Sequence, residues 1–277
     1  MTARFGVIGW PVAHSRSPLI HNYWLQQAGI DALYERVPVP PEADFRATLE
    51  TLRAAGFSGV NVTIPHKEAA FTAVDTRDAA AEYLGAVNTI CLTPEKITGH
   101  NTDGLGFIDS LQDAPERLTG PALVLGAGGA ARAILGALID AGIGDIRVAN
   151  RTRARAQSLL DLAPASDGVR VFDWDDRAVA AQDARLLVNT TSLGMQGAPA
   201  LDMPLDMLAP DALVADIVYT PLTTDLLARA QARGLTPING LGMLVHQAAH
   251  AFALWLGHKP QFDTNLRDQL HKDLGEA

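Results

Sequence analysis

Strand-like apolar segments alternate with helix-like segments along almost the whole chain. In the first hundred residues RFGVIG, ALYERVPV and SGVNVTI have strand character, and SPLIHNYWLQQAG and PPEADFRATLETLRAAG have helical character. From Pro121 the series begins again with the strands ALVLG, DIRVANR, RLLVNTTS and ALVADIVY, and with helices such as TRARAQSLLDLA between them. This order is typical of α/β layers with parallel strands. We therefore predict an α/β fold of two α/β domains, with a boundary near Asp103.

Two further segments refine this prediction. VNTICL and KITGHN flank the turn-like TPEK and predict a hairpin, and GLGMLVHQAAHAFALWLG predicts a long apolar helix. His246 and His250 lie four apart on that helix, which invites a zinc site. The glutamate that serves as general base in the metalloprotease motif is absent. We therefore interpret both as partly buried helix histidines and predict no metal. Helix positions spaced for core packing are Leu241, Leu244, Ala248, Phe252 and Trp255.

Composition excludes several classes of protein. The net charge of −9 and pI of about 5.3 argue against a nucleic-acid or membrane-surface binder, because both need a basic face. The only cysteine, Cys91, cannot form an intramolecular disulfide and is interpreted as a small core residue. The N-terminus lacks the pattern of a signal peptide, and no apolar run is long enough for a membrane helix. We expect a soluble, cytoplasmic protein.

A glycine-rich turn follows the first strand of the second series. Gly126, Gly128, Gly129 and Ala131 form the pattern strand, Gly-x-Gly-Gly-x-Ala, helix. The first glycine permits a tight turn, the second lets the backbone approach a pyrophosphate, and the small third residue lets helix pack on strand. The helix N-terminus offers N–H groups and a partial positive charge. This context predicts dinucleotide binding.

Arginines follow the next strand, where an NAD-binding protein would carry an acidic residue for the ribose hydroxyls. Arg151, Arg153 and Arg155 stand in VANRTRARA with no carboxylate among them. The alternative is a solvated basic face, but cations are disfavoured at a helix N-terminus. Guanidinium groups suit a 2′-phosphate, so the sequence favours NADP over NAD.

The segment HSRSP has the character of a small anion site. Ser17 before Pro18 is predicted to cap a helix, which explains Ser17 structurally but leaves Ser15 unexplained. Two hydroxyls beside a helix N-terminus and Arg16 would suit a carboxylate.

Lys67 and Asp103 are candidates for acid–base chemistry. Lys67 follows an apolar strand that breaks at Pro65; it is either a surface lysine or an ammonium aimed into a cleft. Asp103 is either a cap for the helix starting at Gly104 or the partner of that lysine. Hydride transfer to a ketone needs a proton donor, and the two residues together could supply and orient it.

The ordered motifs resemble the NADP-dependent shikimate dehydrogenase family. IGWPVAHSRSPLIHN, GVNVTIPHK, GAVNT, GHNTDGLGF, GAGGAARA, NRT and NGLGMLVHQAAHAF occur in that family's order from residue 4 to 258. The resemblance implies a discontinuous substrate domain, 1–103 plus 240–277, and a Rossmann-type NADP domain, 104–239. It implies the catalytic pair Lys67 and Asp103.

The resemblance also implies a full set of site residues, some of which the residue patterns above already indicate. Substrate binding would involve Ser15, Ser17, Thr63, Lys67, Asn88, Asp103, Tyr219 and Gln247. Cofactor binding would involve Gly126, Ala127, Gly128, Gly129, Ala130, Asn150, Arg151, Thr152, Arg155, Ile217 and Gly240.

The predicted function is reversible reduction of 3-dehydroshikimate to shikimate by NADPH, in aromatic amino acid biosynthesis. One alternative is a dehydrogenase of the same architecture that uses quinate with NAD, or a folate derivative; the arginines count against NAD. The other is a non-catalytic NADP-responsive regulatory protein, which would have no need of Lys67 and Asp103. We expect a monomer or homodimer.

Overall fold

The computed structural model describes residues 2–111, 118–162 and 168–275. The chain divides into two compact units. The N-terminal unit comprises Met1–Thr102 together with Gln247–Ala277, and the central unit comprises Asp103–His246. The assignment of one domain to substrate and the other to cofactor stays a prediction.

The N-terminal unit is built on a six-stranded mixed sheet in the order β2-β1-β3-β5-β6-β4. Its strands and helices before residue 103 are β1 (Ala3–Gly9), α1 (Ser17–Gln27), β2 (Ala32–Pro38), α2 (Phe45–Ala54), β3 (Phe57–Val62), α3 (Lys67–Ala73), β4 (Thr76–Arg77), α4 (Ala79–Leu84), β5 (Thr89–Leu92) and β6 (Ile97–His100). Strands β1, β2 and β3 are parallel, and β5 and β6 form the predicted antiparallel hairpin. The hairpin turns where the Thr93 N–H donates to the Lys96 carbonyl.

The central unit contains an all-parallel sheet of six strands in the order β12-β11-β10-β7-β8-β9. Its elements are α5 (Asp103–Ser110), β7 (Ala122–Leu125), α6 (Gly129–Asp140), β8 (Ile146–Asn150), α7 (Arg153–Gln157), β9 (Val169–Asp173), α8 (Arg177–Ala180), β10 (Leu186–Asn189), β11 (Leu213–Asp216), α9 (Asp225–Ala232) and β12 (Thr236–Ile238). This is the strand order of doubly wound dinucleotide-binding sheets. The predicted α/β fold class is confirmed.

Burial explains the apolar runs in the sequence. The strands β7, β10 and β11 are buried along their whole length, as expected for a parallel sheet covered on both faces. In the N-terminal unit the core gathers Ile8, Leu49, Val60, Ile90 and Ile97, all fully buried.

The last long helix, α10 (Gly240–Leu256), contributes to both units and is followed by α11 (Thr264–Asp273). Phe252 and Ala248 are buried as predicted, and His246 and His250 are partly buried. Trp255 lies against Gly59, where a Cβ would approach its indole nitrogen to 2.2 Å, and its N–H donates to the Ile90 carbonyl at 3.0 Å. No helix in the described part of the chain is both long and apolar enough to span a bilayer.

Three predicted details are wrong. Helix α2 begins at Phe45 rather than near Pro40, because the Asp44 carboxylate caps it by accepting from the Ala47 N–H. The segment TRARAQSLLDLA forms α7 and then a 3₁₀ helix at Ser158–Leu162 instead of one helix. Cys91 is only partly buried, on the sheet face that it shares with His100.

Candidate active site

The turn between β7 and α6 carries the predicted phosphate-binding residues from Gly126 to Ala130. Gly126 has a φ of +108°, which favours glycine, and a Cβ there would lie 2.5 Å from the Thr190 hydroxyl oxygen. A Cβ added at Gly128 or Gly129 would meet open space, so the backbone is accessible from that side. The first N–H groups of α6 have no acceptor one helical turn earlier. The turn therefore has the shape and polarity to hold a pyrophosphate.

The position of this turn in the sheet supports the same conclusion. β7 pairs with β10 on one side and β8 on the other, and the strand order reverses between β7 and β10. Ligands of such sheets bind outside the carboxyl ends of the strands at this reversal. Gly126 follows β7 and Thr190 follows β10, so both stand at the expected edge.

The arginines after β8 differ in their partners. Arg153 forms an ion pair with Asp173 at the end of β9, with 3.0 Å between nitrogen and oxygen. Arg151 and Arg155 are exposed, and neither forms an ion pair with another described residue. The Asn150 amide donates to the Thr152 carbonyl at 2.8 Å and shapes the turn between them. Two guanidinium groups are thus available for an anion, and the third is neutralised.

Two residues predicted for the nicotinamide side are in contact. A Cβ on Gly240 would lie 2.2 Å from the Ile217 carbonyl oxygen, and the Gly240 N–H donates to the Val218 carbonyl. Gly240 therefore allows the start of α10 to approach this loop. Tyr219, in the same loop, is partly buried.

Asp216 holds that loop and was missed by the sequence reasoning. Its carboxylate accepts from the Asn189 amide at 2.9 Å, from the Val218 N–H at 3.1 Å and from the Thr224 hydroxyl at 2.8 Å. Burial raises the pKa of Asp216, and these three hydrogen bonds oppose the shift. The acidic residue at the end of an apolar strand was the available signal.

The serines of HSRSP lie at the start of α1, but their roles differ from the prediction. Helix α1 begins at Ser17, one residue earlier than a Ser17 cap requires, and Arg16 occupies the cap position with a helical backbone. The Ser15 hydroxyl oxygen accepts from the Ser17 N–H at 3.3 Å, so Ser15 has the local structural role.

The surroundings of Arg16 also differ from the prediction for this segment. Its Nε lies 2.5 Å from the Asp273 carboxylate, and its Nη1 donates to the His14 carbonyl at 2.7 Å. The guanidinium therefore already lies beside a carboxylate and a carbonyl oxygen, two neighbours that the sequence did not predict. Within HSRSP the hydroxyls of Ser15 and Ser17 remain the candidates for binding a carboxylate.

Thr63 stands in the turn that follows β3, and Lys67 begins the helix after that turn. A Cβ on Gly9 would lie 2.5 Å from the Thr63 methyl, so glycine leaves room for this threonine. The buried His66 ring is anchored by Nε2, which is 2.7 Å from the Val39 carbonyl. Lys67 is partly buried and is the first residue of α3, where a cation gains nothing from the helix dipole.

Asn88 lies in a network of buried side chains. Its amide donates to the Thr102 hydroxyl at 3.0 Å, and its oxygen accepts from the Thr102 N–H at 2.9 Å. The Thr102 hydroxyl is also 3.1 Å from the Gln247 carbonyl, and the Thr89 hydroxyl is 3.0 Å from the Asn88 oxygen. The structure thus connects the Asn88 side chain, through Thr102, to the backbone of Gln247, the other predicted substrate residue in this region.

The network continues through Asn61 to Tyr34, two residues that the sequence reasoning missed. The Asn61 amide donates to Thr89 at 3.0 Å, and the buried Tyr34 hydroxyl donates to Asn61 at 2.7 Å. Burial raises the pKa of Tyr34 well above its usual range, and a hydrogen bond with Ser17 opposes the shift. Tyr34 therefore keeps its proton. The only sequence signal was Asn61 in an otherwise apolar strand.

His21 stacks on Tyr34 beneath this network. The ring centroids are 4.2 Å apart and the planes are nearly parallel, at 4°. Burial lowers the pKa of His21 to about 3, against the effect of a hydrogen bond with Asn61. The imidazole is therefore neutral at physiological pH.

Asp103 is buried at the first position of α5, where a carboxylate suits the helix dipole. The preceding Asn101 amide donates to the Ala86 carbonyl at 2.9 Å. Lys67 belongs to the N-terminal unit and Asp103 to the central unit. Their pairing stays a prediction.

The fold and site define a dinucleotide-binding α/β protein with a second, polar site, and comparison with known proteins identifies the family. Residues 7–90 match the model of the shikimate dehydrogenase substrate binding domain, 112–192 match shikimate / quinate 5-dehydrogenase, and 240–264 match the shikimate 5′-dehydrogenase C-terminal domain. A shikimate dehydrogenase (NADP(+)) of Paramagnetospirillum magneticum is 50% identical over 266 residues, which is 95% of each chain.

Solved structures agree with these matches. Shikimate 5-dehydrogenase from Thermus thermophilus, in complex with NADP(H) and shikimate, is 40% identical with a TM-score of 0.86, covering 98% of this chain and 99% of the other. Quinate dehydrogenase from Corynebacterium glutamicum, in complex with NAD, is 31% identical with a TM-score of 0.90 over the same shares. The chain belongs to the shikimate dehydrogenase family, and the predicted resemblance is confirmed.

The buried His21 predicts acid sensitivity. Because its folded-state pKa lies below the ordinary 6.5, the unfolded chain binds the proton first, and stability falls as pH drops from 6.5 towards 3. Between pH 7 and pH 5 this group should cost about 2 kcal/mol of unfolding free energy. Urea unfolding of His21→Phe, which retains an aromatic ring, should show a correspondingly smaller loss over that interval. His14→Gln, at an exposed histidine, is the control, and equal losses in all three proteins would contradict a neutral buried His21.

Proposed function

We propose that the protein catalyses the reversible NADPH-dependent reduction of 3-dehydroshikimate to shikimate. Family membership supports the reaction, and the observation that carries the proposal is the buried network of Tyr34, Asn61, Thr89, Asn88 and Thr102, which reaches the Gln247 backbone carbonyl. These residues are far apart in sequence and supply hydroxyl and amide groups, which suit a polyhydroxylated acid.

In this proposal the N-terminal domain, 1–103 plus 240–277, binds the substrate. Ser15 and Ser17 bind its carboxylate through their hydroxyls. Thr63, Asn88 and Gln247 bind ring hydroxyls, and Tyr219 lies near the substrate. Preorganised polar groups favour a substrate with matching hydroxyls, because an analogue that lacks one leaves a buried group unpaired.

Lys67 and Asp103 perform the acid–base step. The Lys67 ammonium donates a proton to the substrate oxygen in reduction and recovers it in oxidation, and the Asp103 carboxylate orients the ammonium. The first position of α3 brings no helix-dipole stabilisation to a lysine, which supports a catalytic reason for its presence.

The domain 104–239, with Gly240, holds NADP, which when bound supplies or accepts the hydride. The backbone from Gly126 to Ala130 binds the pyrophosphate. Asn150 and Thr152 shape the turn that presents Arg151 and Arg155 to the 2′-phosphate. Ile217 and Gly240 line the nicotinamide.

The remaining proposals concern binding partners, cellular location, oligomeric state and a second candidate reaction. The acidic balance supports a protein that binds no nucleic acid and no membrane. We place it in the cytoplasm as a monomer or homodimer acting in aromatic amino acid biosynthesis. Quinate oxidation with NAD is the second candidate, because the quinate dehydrogenase structure is so similar.

Initial rates at 340 nm separate these functions. Shikimate and quinate are each assayed with NADP and with NAD. The combination of shikimate with NADP should have the highest kcat/KM, since Arg151 and Arg155 offer two guanidinium groups to the 2′-phosphate. A preference for quinate with NAD would establish the second candidate, and no turnover with any pair would favour a regulatory protein.

Replacing Lys67 by Ala should lower kcat by about 10²–10⁴, the usual contribution of a positioned acid–base group. The KM for NADPH should change little, because the loss concerns proton transfer. Lys96→Ala, at an exposed lysine of the β5–β6 turn, is the matched control and should retain wild-type rates. Wild-type turnover by the Lys67 variant would remove this residue from the mechanism.

Arg151 and Arg153, two of the three arginines after β8, provide a matched pair for testing cofactor binding. Arg151→Ala should raise the KM for NADPH by about 10- to 100-fold, the loss of a hydrogen bond between charged groups. Arg153→Ala should have a much smaller effect, because Arg153 is already paired with Asp173. Steady-state kinetics with NADPH and NADH measure both. Equal effects of Arg151→Ala on the two coenzymes would show that Arg151 does not contact the 2′-phosphate.

A further inference from the structure

His100 and Asp78 form a connection within the N-terminal unit that the proposed catalytic roles do not use. His100 is the last residue of β6, and its Nδ1 lies 3.1 Å from an oxygen of the Asp78 carboxylate. The side chains are 16% and 34% exposed, so the contact is largely shielded. The other Asp78 oxygen accepts from the Ala81 N–H at 2.7 Å and caps helix α4.

The backbone of His100 holds the far end of the same segment. Its carbonyl accepts from the Asn88 N–H at 3.0 Å, and Thr89 is its register partner on β5. Residues 78–88, which contain α4, are therefore attached to His100 at both ends: through its side chain at Asp78 and through its carbonyl at Asn88.

This segment contacts the backbone of Lys67 and the two residues that precede Asp103. The Val87 N–H donates to the Lys67 carbonyl at 3.0 Å, and the Ala86 carbonyl accepts from the Asn101 amide. The Asn88 side chain binds Thr102, which precedes Asp103. A displacement of residues 78–88 would consequently reach Asn88 and the backbone of Lys67 together.

We propose that His100 and Asp78 are positioning residues, whose ion pair holds residues 78–88 so that Asn88 is in place for shikimate. The inference rests on the proposed function and concerns residues to which that proposal gives no role. Neither side chain is assigned a contact with substrate or cofactor.

The protonation state of His100 determines the pH range in which the ion pair with Asp78 exists. The hydrogen bond to Asp78, and then that to Cys91, raise the pKa of His100 to about 9, against the effect of burial. Asp78 at the start of α4 and Cys91 on β5 are the titratable groups that face it. Since the folded-state pKa lies above the ordinary 6.5, the stabilisation is fully present below pH 6.5 and is lost as pH rises through about 9.

Asp78→Asn is the informative variant, because asparagine also caps helices and preserves the contact with α4 while removing the charge. The KM for shikimate, with NADP saturating, is measured from about pH 6 to about pH 10. In the wild type it should stay low to about pH 8.5 and rise above about pH 9. In Asp78→Asn the KM should be about fivefold higher already at about pH 6, the size expected for a partly buried ion pair, and should show no rise at about pH 9. The KM for NADP should not change.

Two further variants complete the test. His100→Gln should likewise have a raised KM with no inflection, whereas Cys91→Ser, which keeps the ion pair, should retain the inflection. Thermal unfolding checks that each variant is folded. An inflection at the same pH in wild type and Asp78→Asn would overturn the proposal, as would equal changes in KM for shikimate and NADP. Absence of wild-type turnover with shikimate would instead refute the proposed function.

Discussion

The structure of the proposed substrate site depends on the satisfaction of buried polar side chains. Asn61, Asn88 and Thr102 are each less than 6% exposed, and a buried amide or hydroxyl without a partner costs about 1–3 kcal/mol. They satisfy one another, so the ends of β3, β5 and β6 are joined by side chains as well as by the sheet. A network of this kind permits few alternative arrangements, because moving one member leaves several others unpaired.

In the central unit a buried carboxylate, rather than amides and hydroxyls, joins neighbouring strand ends through hydrogen bonds. Asp216 accepts three hydrogen bonds and ties the loop after β11 to Asn189 at the end of β10. Glycines then determine where backbone can approach: Gly126 beside Thr190, and Gly240 beside Ile217. Strands β10 and β11 are apolar up to their last residues, Asn189 and Asp216, so their polar side chains lie at the strand ends.

Much of this organisation could be predicted from sequence. The alternation of segments predicted the α/β class, and the glycine turn predicted a Rossmann-type sheet, because each pattern reflects a local steric or packing requirement. The roles of Arg16 and Arg153 could not be predicted. Their partners, Asp273 and Asp173, are distant in sequence, and only the tertiary structure shows that these guanidinium groups are engaged.

Other differences between prediction and structure also arise from tertiary contacts. The properties of His21, Tyr34 and Asn61 depend on burial, which sequence does not show. Burial lowers the pKa of His21, so its ring is neutral, and raises the pKa of Tyr34, so its hydroxyl stays protonated. The cap of α1 is Arg16 rather than Ser17, and the Ser15 hydroxyl accepts from the Ser17 N–H. Sequence patterns identify residue types suited to a site, but they do not show which groups are already paired with each other.

A crystal structure of the protein with NADP⁺ and shikimate tests this account most directly. If the network is preorganised, the Asn88 amide should remain bonded to Thr102 at about its present 3.0 Å while it also contacts a ring hydroxyl, and the substrate carboxylate should lie on Ser15 and Ser17. Shikimate bound elsewhere, or an Asn88 side chain turned away from Thr102 to reach it, would contradict the claim that this network builds the substrate site.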